Sequence, residues 1–286
     1  MSALLDREPA PSRWASRAAL FAFGLFAAAV FLHRIGGMET PVAFNLLVVG
    51  MGVAGLSILA ALWAAVVIWR TGRPGTARIL FAVTLSLALI AVPLVGLAWV
   101  REHPLVSDIT TDFEKPPGFY AVLHHRGPGS NAPGYNAARS AEEQRRAYPD
   151  IRPIHVARSS EEVYAAVVDA VKRMKLHPER EEAPDVETGT PGMIEAVDRS
   201  LVMGLYDDIA IRVAGTAETA RIDIRSAARF GVGVDMGRNA ERVRELIKEI
   251  YARLDATIPA SEVARDDRSA AKRERGNRSK SDRRRR

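Results

Sequence analysis

Cysteine is absent from this 286-residue chain. That excludes disulfides, thiol catalysis and Cys-ligated zinc or iron–sulfur sites, and is compatible with either side of a membrane. Carboxylates are missing over a long interval, with none between Glu39 and Glu102. Within it two stretches carry no charge of either sign, Pro41–Trp69 of twenty-nine residues and Ile79–Val100 of twenty-two. Each exceeds the ~20 residues an α-helix needs to cross a hydrocarbon core, and adjacent elements so uniformly apolar are read as a membrane anchor. Also missing are His-Glu-x-x-His and Gly-x-Ser-x-Gly. No catalytic residue, metal ligand set or cofactor is therefore expected.

The first span, Ala18–Leu32, has fifteen apolar residues. Trp14 at an interface and snorkelling Arg17 and Arg34 lengthen it. A cleaved signal peptide is the competing reading, but the break at His33–Thr40 lacks a clear small-x-small site and another span follows. Arg7, Arg13 and Arg17 precede the block and Arg70, Arg73 and Arg78 occupy its second break, against Arg34 in the first break and Arg101 beyond the third span. Positive-inside bias puts the two richer groups in the cytoplasm, so three crossings deliver the rest of the chain to the far side, the periplasm of a Gram-negative cell. Gly50-Met-Gly-Val-Ala-Gly55 imitates a dinucleotide fingerprint, yet position 70 is Arg where an acidic residue is wanted. It reads instead as a small-residue helix face, with Gly50 and Ala54 allowing close approach of another span.

From Arg101 to Arg158 seven prolines and the run Arg126-Gly-Pro-Gly-Ser-Asn-Ala-Pro-Gly-Tyr135 preclude long helices and central strands, so a linker wrapping the domain is expected, with a short surface helix at Ala137–Ala147. Asp108-Ile-Thr-Thr-Asp112 is turn-prone; Asp108, Thr110, Thr111 and Asp112 are its candidate residues, and bonds to local backbone amides fit them better than a divalent ion. His124 and His125 point to opposite sides of an extended segment, and His103, His155 and His177 have no ligand-like spacing.

Beyond Tyr148, Ser159-Ser-Glu-Glu162 is a capping box for an amphipathic helix carrying Val163, Ala166, Val167, Ala170, Val171 and Met174. After the polar interval Lys175–Pro191, alternation marks strands at Ile194/Ala196, Ile209/Ile211/Val213 and Ile222/Ile224, the last two forming a hairpin with one wet face. Asn239 then caps a helix bearing Val243, Leu246, Ile247, Ile250, Tyr251 and Leu254. The fold class is α+β: a bundle of three transmembrane helices, then a two-layer helix/antiparallel-sheet soluble domain. The expected boundaries are a cytoplasmic N-terminus at 1–16, spans at about 17–34, 41–69 and 79–100 within 17–100, the linker at 101–147, the domain at 148–258 and a disordered basic tail at 259–286. On the wet face the register argument places Arg212 near Asp223 and Asp208 near Arg225.

Pro149-Asp-Ile-Arg-Pro153, Ile194-Glu-Ala196, Asp207-Asp-Ile-Ala-Ile-Arg212, Ile222-Asp-Ile-Arg-Ser226, Arg229, Gly231, Asp235-Met-Gly237, Asn239-Ala240 and Arg242 together resemble the signature of a bacterial family, domain of unknown function 1499. Its membrane-attached members also carry the Asp108–Asp112 segment followed by Pro116–Pro117. The resemblance covers about 105–256. Ala228 stands where a second serine is expected, and Val232–Val234 is apolar where a polar loop is usual. The family implies domain extent and no activity.

The candidate polar cluster is Asp207, Asp208, Arg212, Asp223, Arg225, Ser226, Arg229, Asp235, Asn239 and Arg242. It reads either as a salt-bridge ladder on a solvated face or as a site in which Arg212, Arg225 and Arg229 bind an anionic group. Three classes of function follow. The first and preferred one is a non-catalytic, membrane-anchored envelope module with an envelope protein or anionic lipid as partner. The second is an envelope enzyme with a carboxylate/Arg site. The third is a cytoplasm-facing domain whose tail Arg265–Arg286, with eleven Lys/Arg against four Asp/Glu, binds anionic lipid or nucleic acid. Without aromatics in that tail, no specific nucleic acid partner is expected.

Overall fold

The computed structural model describes residues 7–35, 37–102, 104, 106–231 and 235–257. They form two compact units: the first runs to Pro104 and takes in Gly127–Ser130 and Arg199–Leu205, and the second holds the rest. The basic tail Arg265–Arg286, the apolar Val232–Val234 and His103 lie outside the described residues.

The first unit is built on three α-helices, α1 (Ala10–Ile35), α2 (Thr40–Thr71) and α3 (Thr76–Glu102). All three are long and apolar enough to cross a membrane. α1 has 26 residues and begins well before the apolar run, with Ser12 Oγ donating to the Pro9 carbonyl at its first turn. Pro41 sits in the first turn of α2, where no amide hydrogen is required. The residues turned inward are mostly small: Ala15, Ala19, Ala61 and Ala82 form one buried cluster, and Ala22 and Ala54 another with Leu89. Leu56, Leu59, Phe21 and Val92 face outward, each at least 61% exposed. A soluble bundle does the reverse. Small residues inside and large apolar residues outside fit helices that associate by close packing in lipid. A side chain on Gly50 would lie 2.8 Å from the Phe26 ring, so this glycine permits the approach of α1. Ser57 Oγ adds a buried interhelical bond, donating to the Ala15 carbonyl at 2.9 Å.

The second unit is an antiparallel sheet with helices. Its strands are β1 (Asp108–Thr110), β2 (Ile154–Val156), β3 (His177–Glu182), β4 (Gly192–Arg199), β5 (Tyr206–Gly215) and β6 (Ala220–Ala228), in the order β1-β6-β5-β4-β3, with β2 also pairing β6. β1 meets the end of β6 at Asp108↔Ala227 and β2 its beginning at Ile154↔Ile222, so two short strands share one edge. Asp108–Thr110, expected as a turn, is thus a strand: Ile109 is a buried core residue and holds the segment extended against β6. β3, read as part of a polar interval, has no apolar residue to alternate. It pairs with β4 through its backbone, and its charged side chains and the irregularity at Pro178/Arg180 suit a sheet edge.

α5 (Ser160–Arg173) and α6 (Arg238–Asp255) cover one sheet face. Ser159 Oγ accepts from the Glu162 amide at 3.2 Å and starts α5. Val163, Val167, Leu246 and Ile250 then bury against Ile194, Ile209, Ile211, Ile222 and Ile224, each such side chain contributing about 1.5–3 kcal/mol. α6 does not begin with Asn239 as its cap. Gly237 is the cap residue, and Asp235 supplies the carboxylate, accepting from the Gly237 amide at 3.0 Å and the Asn239 amide at 2.6 Å. The opposite face is not wet either. A turn of 3-10 helix, Ala121–His125, carries Val122, which with Phe119 packs on Val197, Ala210 and Ala227. The surface helix is present as α4 (Ala137–Ala147), with Gln144 buried and bonded to both backbone groups of Thr110.

Gly215 closes the β5–β6 hairpin with its Cβ position 2.2 Å from the Thr219 carbonyl oxygen, which is backbone and cannot swing away. Gly215→Ala is expected to lower stability by about 1–3 kcal/mol, measured as a shift of the denaturant midpoint by circular dichroism.

Candidate functional site

β5 carries adjacent acids, Asp207 and Asp208, and the pleat sends them to opposite faces. The candidate cluster accordingly separates into two buried networks.

On the helix side Asp207 is 3% exposed and accepts from Arg242 Nη2 at 2.7 Å and Arg238 Nη2 at 2.5 Å. Arg242 also reaches Asp198 Oδ2 at 2.5 Å, Asn239 Oδ1 at 2.5 Å and Ser226 Oγ at 3.1 Å. Ser226 donates its hydroxyl proton to Asn239 Oδ1 at 2.7 Å, and Asn239 Nδ2 donates to the Ser107 carbonyl at 3.0 Å. A serine whose proton is held by an amide oxygen, under a buried guanidinium, has no base and is no nucleophile. Burial pushes the Asp207 carboxyl above its usual range, against the pull of Arg242 and Arg238.

On the other side Asp208, fully buried, takes Arg229 Nη2 at 2.5 Å and Arg126 Nη2 at 2.6 Å. The expected neighbour Arg225 is elsewhere: the register sets Asp208 opposite Ala227 and Arg225 opposite Ala210. Arg225 grips Asp108 with both ends of its fork, at 2.9 and 2.7 Å, donates to the carbonyls of Pro117 and Pro133, and lies 4.4 Å from the centre of the Phe119 ring. Tyr135 covers it from another side, its hydroxyl pushed up to about 12 by burial and the nearby Asp108. Arg212 does lie opposite Asp223. With Arg221 and Asp112 they close a four-membered square: Asp112 Oδ2 accepts from Arg212 at 3.0 Å and Arg221 at 2.8 Å, and Asp223 from the same two arginines at 2.7 and 2.9 Å. Asp112 Oδ1 meanwhile accepts from the amides of Glu114 and Lys115. Burial works against its ionisation. The two amides and then Arg221 and Arg212 outweigh it, holding the carboxyl below the usual range. Thr110 Oγ1 bonds within the same turn, and Thr111 Oγ1 accepts from the Ile224 amide at 2.8 Å.

Each arginine of the candidate cluster is therefore already paired with a carboxylate, and charge-assisted pairs of this kind tie the layers together rather than wait for a ligand. Sequence reasoning missed Asp198, Arg238 and Arg126, and also Glu195, which is fully buried and accepts from the Tyr120 amide at 2.8 Å. Glu195 falls between Ile194 and Ala196, where alternation sends it to the face expected to be wet, so nothing in the sequence marks it as buried. Nothing in the glycine- and proline-rich run singles out Arg126. Among the described residues no group of three His, Asp or Glu is placed to hold a metal ion. His125 instead meets Glu179 at 3.1 Å on the surface.

Beside the square lies an open groove of about 720 Å3, lined by Thr111–Lys115, Arg145, Tyr148–Pro149, Ile151–Pro153 and Arg221. Lys115, Arg145 and Arg152 are exposed, and none makes an ion pair among the described residues. Arg145 Cζ lies over the Phe113 ring, 4.6 Å from its centre, and Arg152 Nε donates to the Pro149 carbonyl. Arg221 and Asp112 are engaged with each other, which leaves these three cations facing Glu114.

A family model described as "Protein of unknown function (DUF1499)" matches residues 108–250. No curated protein matches the chain. The crystal structure of TTHA0849 from Thermus thermophilus is similar over 37% of this chain and 97% of that one, at 12% identity and a TM-score of 0.20, a likeness too slight to bear on fold or function.

Asp208→Ala leaves Arg126 and Arg229 buried without their carboxylate and is expected to cost about 3–5 kcal/mol. Arg244→Ala, which breaks the exposed pair with Asp150, is expected to cost less than about 1 kcal/mol. Denaturant titration of the two variants measures the contrast. Because the folded Asp112 carboxyl sits below its ordinary 3.8, its stabilisation is present above that pH and is lost as pH falls through the lower folded value. Asp112→Asn is expected to flatten the stability profile below about pH 4, read by thermal melts across an acid series.

Proposed function

Because the chain belongs to the family described as Protein of unknown function (DUF1499), which brings no reaction with it, we propose a function from the geometry: a membrane-anchored, non-catalytic module that binds an anionic ligand or partner. The observation that carries this reading is the contrast between two populations of arginine. The interior ones are paired with carboxylates and covered; Arg145 and Arg152, with Lys115, line an open groove without ion pairs among the described residues. Exposed cations gathered in a concave surface raise the local concentration of anions, and guanidinium forks suit phosphate and carboxylate oxygens. An anionic lipid head group, a wall polymer or the acidic surface of an envelope protein shares that chemistry.

The placement belongs to the same proposal: a multi-pass protein of the bacterial inner membrane, with its N-terminus in the cytoplasm and the α+β domain in the periplasm. Arg7, Arg13, Arg17, Arg70, Arg73 and Arg78 on one side, against Arg34 and Arg101 on the other, support it.

Full-length protein in detergent is expected to bind pyrophosphate or citrate saturably by calorimetry, and Arg145→Glu with Arg152→Glu to weaken that binding at least about tenfold, or about 1.4 kcal/mol. Both side chains are exposed and lose only a ring contact and one carbonyl bond, so the melting temperature should fall by no more than a few degrees. Absence of saturable binding by the unaltered protein would remove the reading. Protease added to spheroplasts is expected to destroy a C-terminal tag; a tag cut only after lysis would reverse the placement.

A further inference from the structure

Two side chains outside the spanning helices have no account so far. Leu201 is 85% exposed and Val202 67%, at the tip of the loop between β4 and β5. Among the described residues, the other large apolar side chains exposed away from α1, α2 and α3 are Tyr120, Leu123, Met236 and Tyr251, at 59, 37, 41 and 42%. Placing a leucine and a valine side by side at the end of a loop in water is unfavourable, and such a tip is normally polar.

The base of the loop is closed by its own hydrogen bonds. The Ser200 amide donates to the Leu205 carbonyl at 2.8 Å, the Gly204 amide to the Ser200 carbonyl at 3.0 Å, and the Leu205 amide to Ser200 Oγ at 2.8 Å. Arg199 Nε donates to the Gly204 carbonyl at 3.2 Å.

The loop belongs to the same compact unit as the spanning helices and is fastened to the last turn of α1. His33 Nδ1 bonds the Met203 carbonyl at 2.6 Å; a carbonyl can only accept, so in the neutral ring Nδ1 carries the proton and Nε2, 3.0 Å from Thr40 Oγ1, accepts from that hydroxyl. Arg34 Nη1 donates to the Ser200 carbonyl at 2.8 Å, and Arg199 reaches the Arg34 carbonyl. The attachment sits where the lipid-facing surface of α1 ends, beside Phe31 at 60% and Ile35 at 65% exposure.

We propose that the Ser200–Gly204 loop is a membrane-dipping tip, with Leu201 and Val202 inserted among the lipid chains at the bilayer surface and Arg34 and Arg199 at head-group level. The partner is the bilayer itself, because the base of the apolar tip is bonded to the last turn of a helix long and apolar enough to cross a membrane and because arginine suits the phosphate layer. The proposal does not depend on the groove.

The chain has no cysteine, so one introduced thiol takes a spin label uniquely. Full-length Leu201→Cys and Val202→Cys, nitroxide-labelled and reconstituted in phosphatidylcholine/phosphatidylglycerol vesicles, are expected to be several-fold more accessible to oxygen than to a water-soluble nickel chelate. Leu56→Cys on α2 sets the lipid reference and Glu187→Cys, in the polar turn before β4, the aqueous one. Leu201 is exposed, so its replacement removes little packing. A label at 201 that matches the aqueous reference overturns the proposal.

Discussion

Adjacent carboxylates at Asp207 and Asp208 constrain the second unit more than any other pair of residues. Neighbours on a strand cannot share a face, and neither is left in water, so each needs guanidinium partners from a different layer. α6 answers with Arg238 and Arg242, and the segment before α4 answers with Arg126, joined by Arg229 just past β6. β5 thereby becomes the strand to which both layers are bolted. The apolar core under α5 and α6 supplies most of the stabilisation, while the ion pairs fix which layer sits where.

The fold was legible wherever periodicity was clean. Apolar runs marked α1, α2 and α3, the Ser159 box marked α5, and alternation at Ile209–Val213 and Ile222–Ile224 marked the central hairpin. β3 was invisible because His177–Glu182 has no apolar residue, and β1 because three residues are too few to show a period. The cluster was legible as composition and not as geometry. Its residues were identified together, but whether Asp208 meets Arg225 or Arg229 depends on register to the single residue, and the cover over that face comes from a proline-rich stretch with no periodicity. Asn239 stands before an apolar period with a side chain suited to capping, but the carboxylate of Asp235, four residues earlier across a glycine, takes the first amides of α6 instead.

The two units solve opposite packing problems. In the first, alanine, glycine and serine face inward so that helices approach, and bulk is turned outward. In the second, isoleucine, leucine and valine fill the interior, and the charges that remain inside are matched one against another. The same chain therefore reverses its inside-out pattern within a few residues of Pro104.

The shared edge of β6 has a consequence for the order of assembly. β1 and β2 are synthesised early in the domain, yet the strand that both pair with begins at Ala220. Until that residue is made and free, Ile109 and Ile154 have no permanent neighbours, and the separation in sequence makes these contacts slow to form. The three helices face no such delay, since each closes its own hydrogen bonds as it is made. Pairing of β1 and β2 accordingly waits on β6, and a nascent chain stalled before it would expose two unmated segments to whatever aggregates first.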